Sequence, residues 1–290
     1  MKRHFRNWFL AVTFVTALFV TVFATYAWFS SNKKVETGTA TARTGEETLQ
    51  LELSEQGGSR FKDQKTVTIT QVNQTDAGTL MPVSSADLET FVSAPATVEG
   101  KAKSFRKVSG EEGLYHGRLY LRASGKGWDS GARLMLYLEQ SDAVLGQASD
   151  GMLLHASRLG LKFQAEDQKK QMMMILRLSE DKNPDADRAF NTVVDGKTLG
   201  EDQVLDYADG SVKAVSDPSA SLKDYTVTWG KDTAKIPNKA LCTMTLNKIY
   251  TLDVYFYLEG CDPDCSSAVS FDAANLHLAF YGMISQEGSR

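Results

Sequence analysis

At 290 residues, with 42 % hydrophobic and 23 % charged side chains and a formal net charge of −4, the chain is long enough to bury a real core without covalent staples. Its three cysteines are too few for a disulfide framework. Setting Lys2, Arg3 and Arg6 apart from the 32 basic residues leaves 29 against 36 acidic ones, a formal charge of −7, which argues against a nucleic-acid partner.

The N-terminus carries the strongest signal. Residues 8–29, from Trp8 to Phe29, form an uncharged and mostly apolar run behind Lys2, Arg3 and Arg6. At about 1.5 Å per helical residue the run reaches roughly 33 Å, enough to cross a hydrocarbon core of about 30 Å. Basic residues on the leading side keep that end in the cytoplasm, so the remainder is expected outside, at the cell surface or released. The run is longer than the apolar stretch of an ordinary cleaved signal, which favours a membrane anchor. Ala24-Thr25-Tyr26-Ala27 nevertheless offers small residues where a signal peptidase reads, with cleavage falling between Ala27 and Trp28. Anchor and cleaved signal both stay open.

Residues 30–48 are polar and rich in Thr and Gly, and read as a stalk. From Leu49 the pattern changes to short strands. Leu49, Leu51 and Leu53 alternate with polar residues, and after the Gln56-Gly57-Gly58-Ser59 turn Val67, Ile69 and Val72 do the same. The segment from Ser85 to Phe91 suggests a short helix capped by Ser85 or Asp87. Leu119 and Leu121, then Leu134, Leu136 and Leu138, alternate on either side of a Gly-rich stretch from Gly125 to Gly131, which predicts a hairpin with a long tip carrying Trp128. Leu159, Leu161 and Phe163 mark another strand, and Met172 to Leu176 a strand buried on both faces. Glu180 to Pro218 is polar and reads as a surface insertion.

Later strands are expected over Leu222 to Trp229, Cys242 to Leu246, Thr251 to Leu258 and around Leu276, Leu278 and Phe280. About ten short strands and few helices predict an all-β sandwich. The resulting organisation is residues 1–29 as signal or transmembrane helix, 30–48 as stalk, 49–284 as sandwich with a polar insertion near 180–218, and 285–290 as tail.

Candidate sites are sparse. Cys261 and Cys265 flank Asp262-Pro263-Asp264, a spacing that suits a small loop disulfide in an oxidising compartment; pairing with Cys242 is an alternative. C-x3-C with one further cysteine falls short of a zinc ligand set. Asp181, Asn183, Asp185 and Asp187 have the alternating oxygen spacing of a calcium loop, without its turn glycine or closing Glu; a solvated acidic loop is the plainer reading, and no other cofactor is expected. Trp128 is positioned to stack on a sugar or a partner surface, or to pack in the core. Asp253 and Glu259 would lie about 20 Å apart along one strand, too far for a glycosidase pair. No G-x-S-x-G or H-E-x-x-H motif occurs.

Four stretches together carry a resemblance: Thr25 to Phe29 closing the leader, Leu80-Met81-Pro82-Val83-Ser84, Leu119-Tyr120-Leu121-Arg122, and Tyr257 through Cys265. On these the chain resembles exported β-sandwich proteins of Gram-positive bacteria that carry a SipW-dependent type of signal peptide, the TasA-like and camelysin-like group. The resemblance implies export, a jelly-roll-like sandwich and, for the TasA-like members, assembly into biofilm-matrix fibres. Metallopeptidase activity, described for camelysin-like proteins, is not carried over, because His116, His155 and His277 lack the spacing for it. The expected function is therefore a non-enzymatic surface or matrix protein working by self-association through strand addition, with residues from Val35 to Leu53 as the added strand. A ligand-binding adhesin or carbohydrate-binding module is the alternative.

Overall fold

The computed structural model describes residues 48–55, 59–63, 66–69, 74–75, 78–94, 97–98, 101–102, 104–126, 131–140, 145–146, 152–165, 171–181, 188–200, 202–208, 210–225, 239–266 and 274–284. Residues 8–29, Ala27, Trp28, most of the stalk and Val72 lie outside these, and among the described residues no helix is long and apolar enough to cross a membrane.

Period-two alternation dictates strands, and the described chain is predominantly β. The main strands are β1 (Thr48–Ser54), β2 (Thr66–Ile69), β3 (Tyr115–Lys126), β4 (Arg133–Gln140), β5 (Ser157–Ala165), β6 (Gln171–Arg177), β7 (Ser219–Ser221), β8 (Cys242–Thr245), β9 (Ile249–Glu259) and β10 (Ala274–Ile284). A ten-stranded sheet runs β1-β3-β9-β5-β6-β7, with Lys62–Asp63 beside β1 and three short strands beside the end of β9. A five-stranded sheet runs β2-β10-β4-β8, with Leu145–Gly146 also on β10.

Alternate side chains of both sheets meet in one buried cluster. Leu51, Leu53, Leu119, Leu121, Leu159, Leu161, Phe163, Leu252, Val254 and Phe256 come from the first sheet, and Val67, Leu134, Leu136, Leu138, Leu276, Leu278 and Phe280 from the second. β9 is the axis of the larger sheet: its Leu252 stands opposite Leu119 on one side and Phe163 on the other. Each fully buried aliphatic or aromatic side chain of this kind contributes about 1.5–3 kcal/mol of transfer free energy.

Several expectations are corrected. β3 and β4 do not form a hairpin: β3 pairs with β1 and β9, while β4 pairs with β8 and β10 in the other sheet. Strands facing one core from opposite sides carry the same alternation, so the pattern identifies strands without assigning layers. No helix forms over Ser85 to Phe91. The capping hydrogen bonds are made, with Leu88 N–H donating to Ser85 Oγ at 3.0 Å and Glu89 and Thr90 N–H to Asp87 Oδ1 at 2.8 Å, but Leu88 sits at φ 56°, which no right-handed helix accepts.

β6 is not buried on both faces along its length: Ile175 and Leu176 are, whereas Met173 is 39 % exposed. Leu222–Asp224 is a 3-10 turn and no strand; residues 226–229 are not described. Leu153 belongs to a one-turn helix, Met152–Ala156, leading into β5. Residues 48–53, counted with the segment available for strand addition, lie in β1, where Leu51 and Leu53 are buried.

The polar stretch after Glu180 is a packed cover. Val193–Val194 returns as Lys197–Thr198 through a turn at Asp195 and Gly196, both in the left-handed region, and Gln203–Ala208 returns as Ser211–Ser216. Its Phe190, Val194, Leu199 and Leu205 form a separate cluster with Val92, Ala102 and Cys261. A third cluster, Val83, Leu88, Phe91, Val108, Leu114, Ile175 and Tyr257, lies on the opposite side of the large sheet from the main core.

Replacing Leu161 with Ala is expected to cost about 2–5 kcal/mol, because a fully buried side chain leaves a cavity between close-packed neighbours. Thr243→Ala, at an exposed position of β8, is expected to stay within about 0.5 kcal/mol of wild type. Urea unfolding midpoints compare the two.

Candidate functional site

On β5, Leu159, Leu161 and Phe163 face the main core, which turns Arg158, Gly160 and Lys162 to the other face. Lys162 reaches Glu89 at 2.7 Å near solvent, whereas Arg158 is closed in, its side chain only 1 % exposed. A guanidinium taken out of water costs several kcal/mol unless partners surround it. Two carboxylates do so. Arg158 Nη2 lies 3.3 Å from Asp217 Oδ2 and 2.9 Å from Asp262 Oδ2, and Nη1 donates to the Ser157 carbonyl at 3.2 Å.

The two carboxylates come from different covers. Asp217 follows the Gln203–Ala208/Ser211–Ser216 hairpin, whose base is closed by Asp217 N–H donating to the Asp202 carbonyl at 2.8 Å. Asp262 sits in the turn after β9. There Asp262 N–H donates to the Glu259 carbonyl, Cys265 N–H to the Asp262 carbonyl, and Asp264 N–H to Asp262 Oδ1. Gly260 threads under the ring of Phe190, where a Cβ would lie 2.2 Å from Cε2, so only glycine fits without a shift. Phe190 N–H donates to the Gly260 carbonyl at 2.8 Å, and Gly260 N–H to the Val83 carbonyl at 2.8 Å.

The electrostatics follow the burial. Desolvation alone would lower the pKa of Arg158, but the charges of Asp262 and Asp217, with Glu259 behind them, raise it and keep it cationic. Burial would raise Asp217, yet Arg158, the hydrogen bonds from Ser219 and the more distant Arg177 carry it below the ordinary carboxylate value. Asp262 moves the other way: its burial, aided by the nearby Asp181 charge, outweighs Arg158. Its contact with Arg158 is an ion pair off the hydrogen-bond direction, so Oδ2 accepts no hydrogen bond. Glu259, fully buried, is pushed up to about 8 by desolvation despite Arg158; its Oε1 accepts from Cys261 N–H while Oε2 has no hydrogen-bond partner.

Arg177 extends the cluster outward. It lies 3.1 Å from Asp181 Oδ1 and 3.5 Å from Asp217 Oδ2. A polar cleft of about 330 Å³ opens beside it, lined among others by Glu180, Asp202, Asp217, Ser219 and Lys223. Asp181, Asp262 and Asp264 bring carboxylate oxygens within 4.8 Å of one another, hard oxygen ligands of the type calcium and magnesium take. Three are fewer than the six to eight that calcium takes, and Asp262 already faces Arg158.

Of the residues singled out in the sequence, Asp181 joins this cluster, whereas Asn183, Asp185, Asp187 and Trp128 lie outside the described residues. Cys261 and Cys265 are free buried thiols, as is Cys242, so the loop disulfide is not formed here. Hydrogen bonds close the 260–265 turn in its place. Burial pushes Cys242 up to about 12, and Cys261 and Cys265 also upward, which favours the thiol form over the thiolate. The three described histidines are scattered: His155 contacts the Glu180 carbonyl, His277 Nδ1 lies 2.8 Å from Thr68 Oγ1, and His116 binds Glu111 and Asp253.

Neither Arg158 nor Asp217 stands out in the sequence, and Ser84 does so only as the end of the Leu80-Met81-Pro82-Val83-Ser84 stretch. Ser84 is fully buried, and its hydroxyl accepts from Leu205 N–H at 2.9 Å, joining the hairpin cover to the short strand beside β9. Alternation along Ser157–Ala165 places Arg158 with Lys162 on the face away from the core, which by itself reads as solvent-facing.

No protein-family model, curated protein or solved structure matches the chain.

Native protein is expected to leave all three thiols unreacted with a maleimide, and protein unfolded without reductant to take up three adducts. A single adduct after unfolding would mean that two of the cysteines had paired.

Proposed function

We propose that this chain is an exported, non-enzymatic cell-surface or biofilm-matrix protein of the TasA-like and camelysin-like type, acting through self-association or surface contacts. The observation that carries the reading is the uncharged run of residues 8–29 behind Lys2, Arg3 and Arg6, set before a predominantly β body. In this reading residues 8–29 anchor the protein in the membrane, or a signal peptidase releases it after Ala27.

The body is read as a jelly-roll-like sandwich. Successive strands switch sheets, β1 to β2, β3 to β4 and β9 to β10, around one shared core, which supports that architecture. Self-association by strand addition needs a donor and an open edge. With residues 48–53 held in β1, the donor narrows to residues 35–47. An edge is offered at β6: β7 pairs only with Ile175 to Arg177, and among the described residues nothing pairs with the outer side of Gln171 to Met174. Such an edge, with Met173 exposed, is a template for another strand. The adhesin alternative draws on the polar cleft beside Arg177.

Purified residues 28–290 are expected to form concentration-dependent oligomers or fibres by light scattering and electron microscopy, and removal of residues 35–47 to abolish them. A protein that stays monomeric at high concentration and at acid pH, and that instead selects particular sugars on a glycan array, would favour the adhesin.

A further inference from the structure

His116 on β3 stands between two carboxylates. Its Nδ1 lies 3.0 Å from Glu111 Oε1 and its Nε2 3.2 Å from Asp253 Oδ1 on β9. An ionised carboxylate only accepts hydrogen bonds, so satisfying both contacts requires both ring nitrogens to donate, which imidazolium does and neutral imidazole cannot. The ring stacks on Tyr255, with centroids 4.6 Å apart and planes at 12°, so its orientation is set independently of its charge.

Glu111 belongs to the segment that enters β3. Val108 and Leu114 are buried against Phe91 and Tyr257, and Val108 N–H donates to the Phe91 carbonyl at 2.7 Å. Between these anchors Gly110 and Gly113 adopt φ of 65° and 76°, values that glycine takes without strain, and Met81 N–H donates to the Gly113 carbonyl at 3.0 Å, so the chain turns sharply and holds Glu111 beside His116. We propose that His116 is a proton-operated clasp: protonated, it ties the 110–113 tip down onto β3 and β9, and on losing its proton it lets Glu111 go.

The two carboxylates differ in what they lose. Asp253 is 15 % exposed and also accepts from Arg118 through Nε at 2.6 Å and Nη2 at 3.1 Å. Glu111 is 53 % exposed and regains water when released. The single N–H of neutral imidazole therefore stays with Asp253. The other groups facing the ring are fixed. Arg118 is held by Asp253, Lys162 on β5, opposite Asp253, is paired with Glu89, Glu112 is paired with Arg106, and Tyr115 and Tyr255 are raised above their ordinary value, chiefly by burial.

The hydrogen bond to Asp253, opposed by burial and aided by Glu111, raises the His116 pKa above its ordinary 6.5. A raised pKa places the stabilisation fully below the unfolded value, and it is lost as pH rises through the higher folded one.

The full chain in detergent, with ¹⁵N-labelled histidine for NMR, tests this alongside hydrogen exchange of residues 108–114 corrected for intrinsic rates. His116 is expected to titrate above 6.5, and protection of the tip to fall about three- to tenfold across that titration, the scale of one charge-assisted hydrogen bond to a half-exposed group. Glu111→Gln, an exposed change that leaves the core intact, is expected to lower the His116 midpoint and to give a tip equally open on both sides of it. A His116 midpoint at or below 6.5, or a protection step that persists in Glu111→Gln, would overturn the clasp.

Discussion

Burying one guanidinium organises the outer face of the large sheet. Arg158 cannot stay charged and out of water by itself, and the groups that compensate it lie far away in sequence: Asp217 after the second hairpin of the cover, and Asp262 in the turn beyond β9. Each brings its segment down onto β5. The hairpin then meets Ser84 through Leu205 N–H, and the turn meets Val83 and Phe190 through Gly260. Apolar packing of Phe190, Leu199 and Leu205 supplies favourable burial there, but it is non-directional; the ion cluster sets where the cover sits. Losing one partner of such a cluster costs about 3–5 kcal/mol, because the other charges remain buried without it.

The core strands with clear period-two alternation were legible: Leu252, Val254, Phe256 and Leu258 alone locate β9. Layer assignment was not. β3 and β4 are close in sequence with a Gly-rich link, which is all that a hairpin shows locally, and only their pairing with β1, β9, β8 and β10 separates them. The Ser85 segment failed for a related reason. Its side chains cap a turn whether or not a helix follows, and the positive φ of Leu88 is a demand of packing against Gly160 that composition does not record.

The candidate site was the least legible part. Polar residues between Glu180 and Pro218 read as solvated, yet Phe190, Val194, Leu199 and Leu205 were enough to close a small core once the second hairpin folded back. Alternation along β5 places Arg158 on the face away from the main core, and that face is covered. In the same way the Cys261–Cys265 spacing suited a disulfide, while backbone hydrogen bonds and Asp262 close that turn with both thiols free.

The dependence of the cover on Arg158 is tested most directly by hydrogen exchange with mass spectrometry on Arg158→Met. The account predicts that protection falls across residues 202–221 and 260–265 while β4 and β10 of the second sheet keep theirs. Unchanged protection in the cover, or a uniform loss across both sheets, would contradict it.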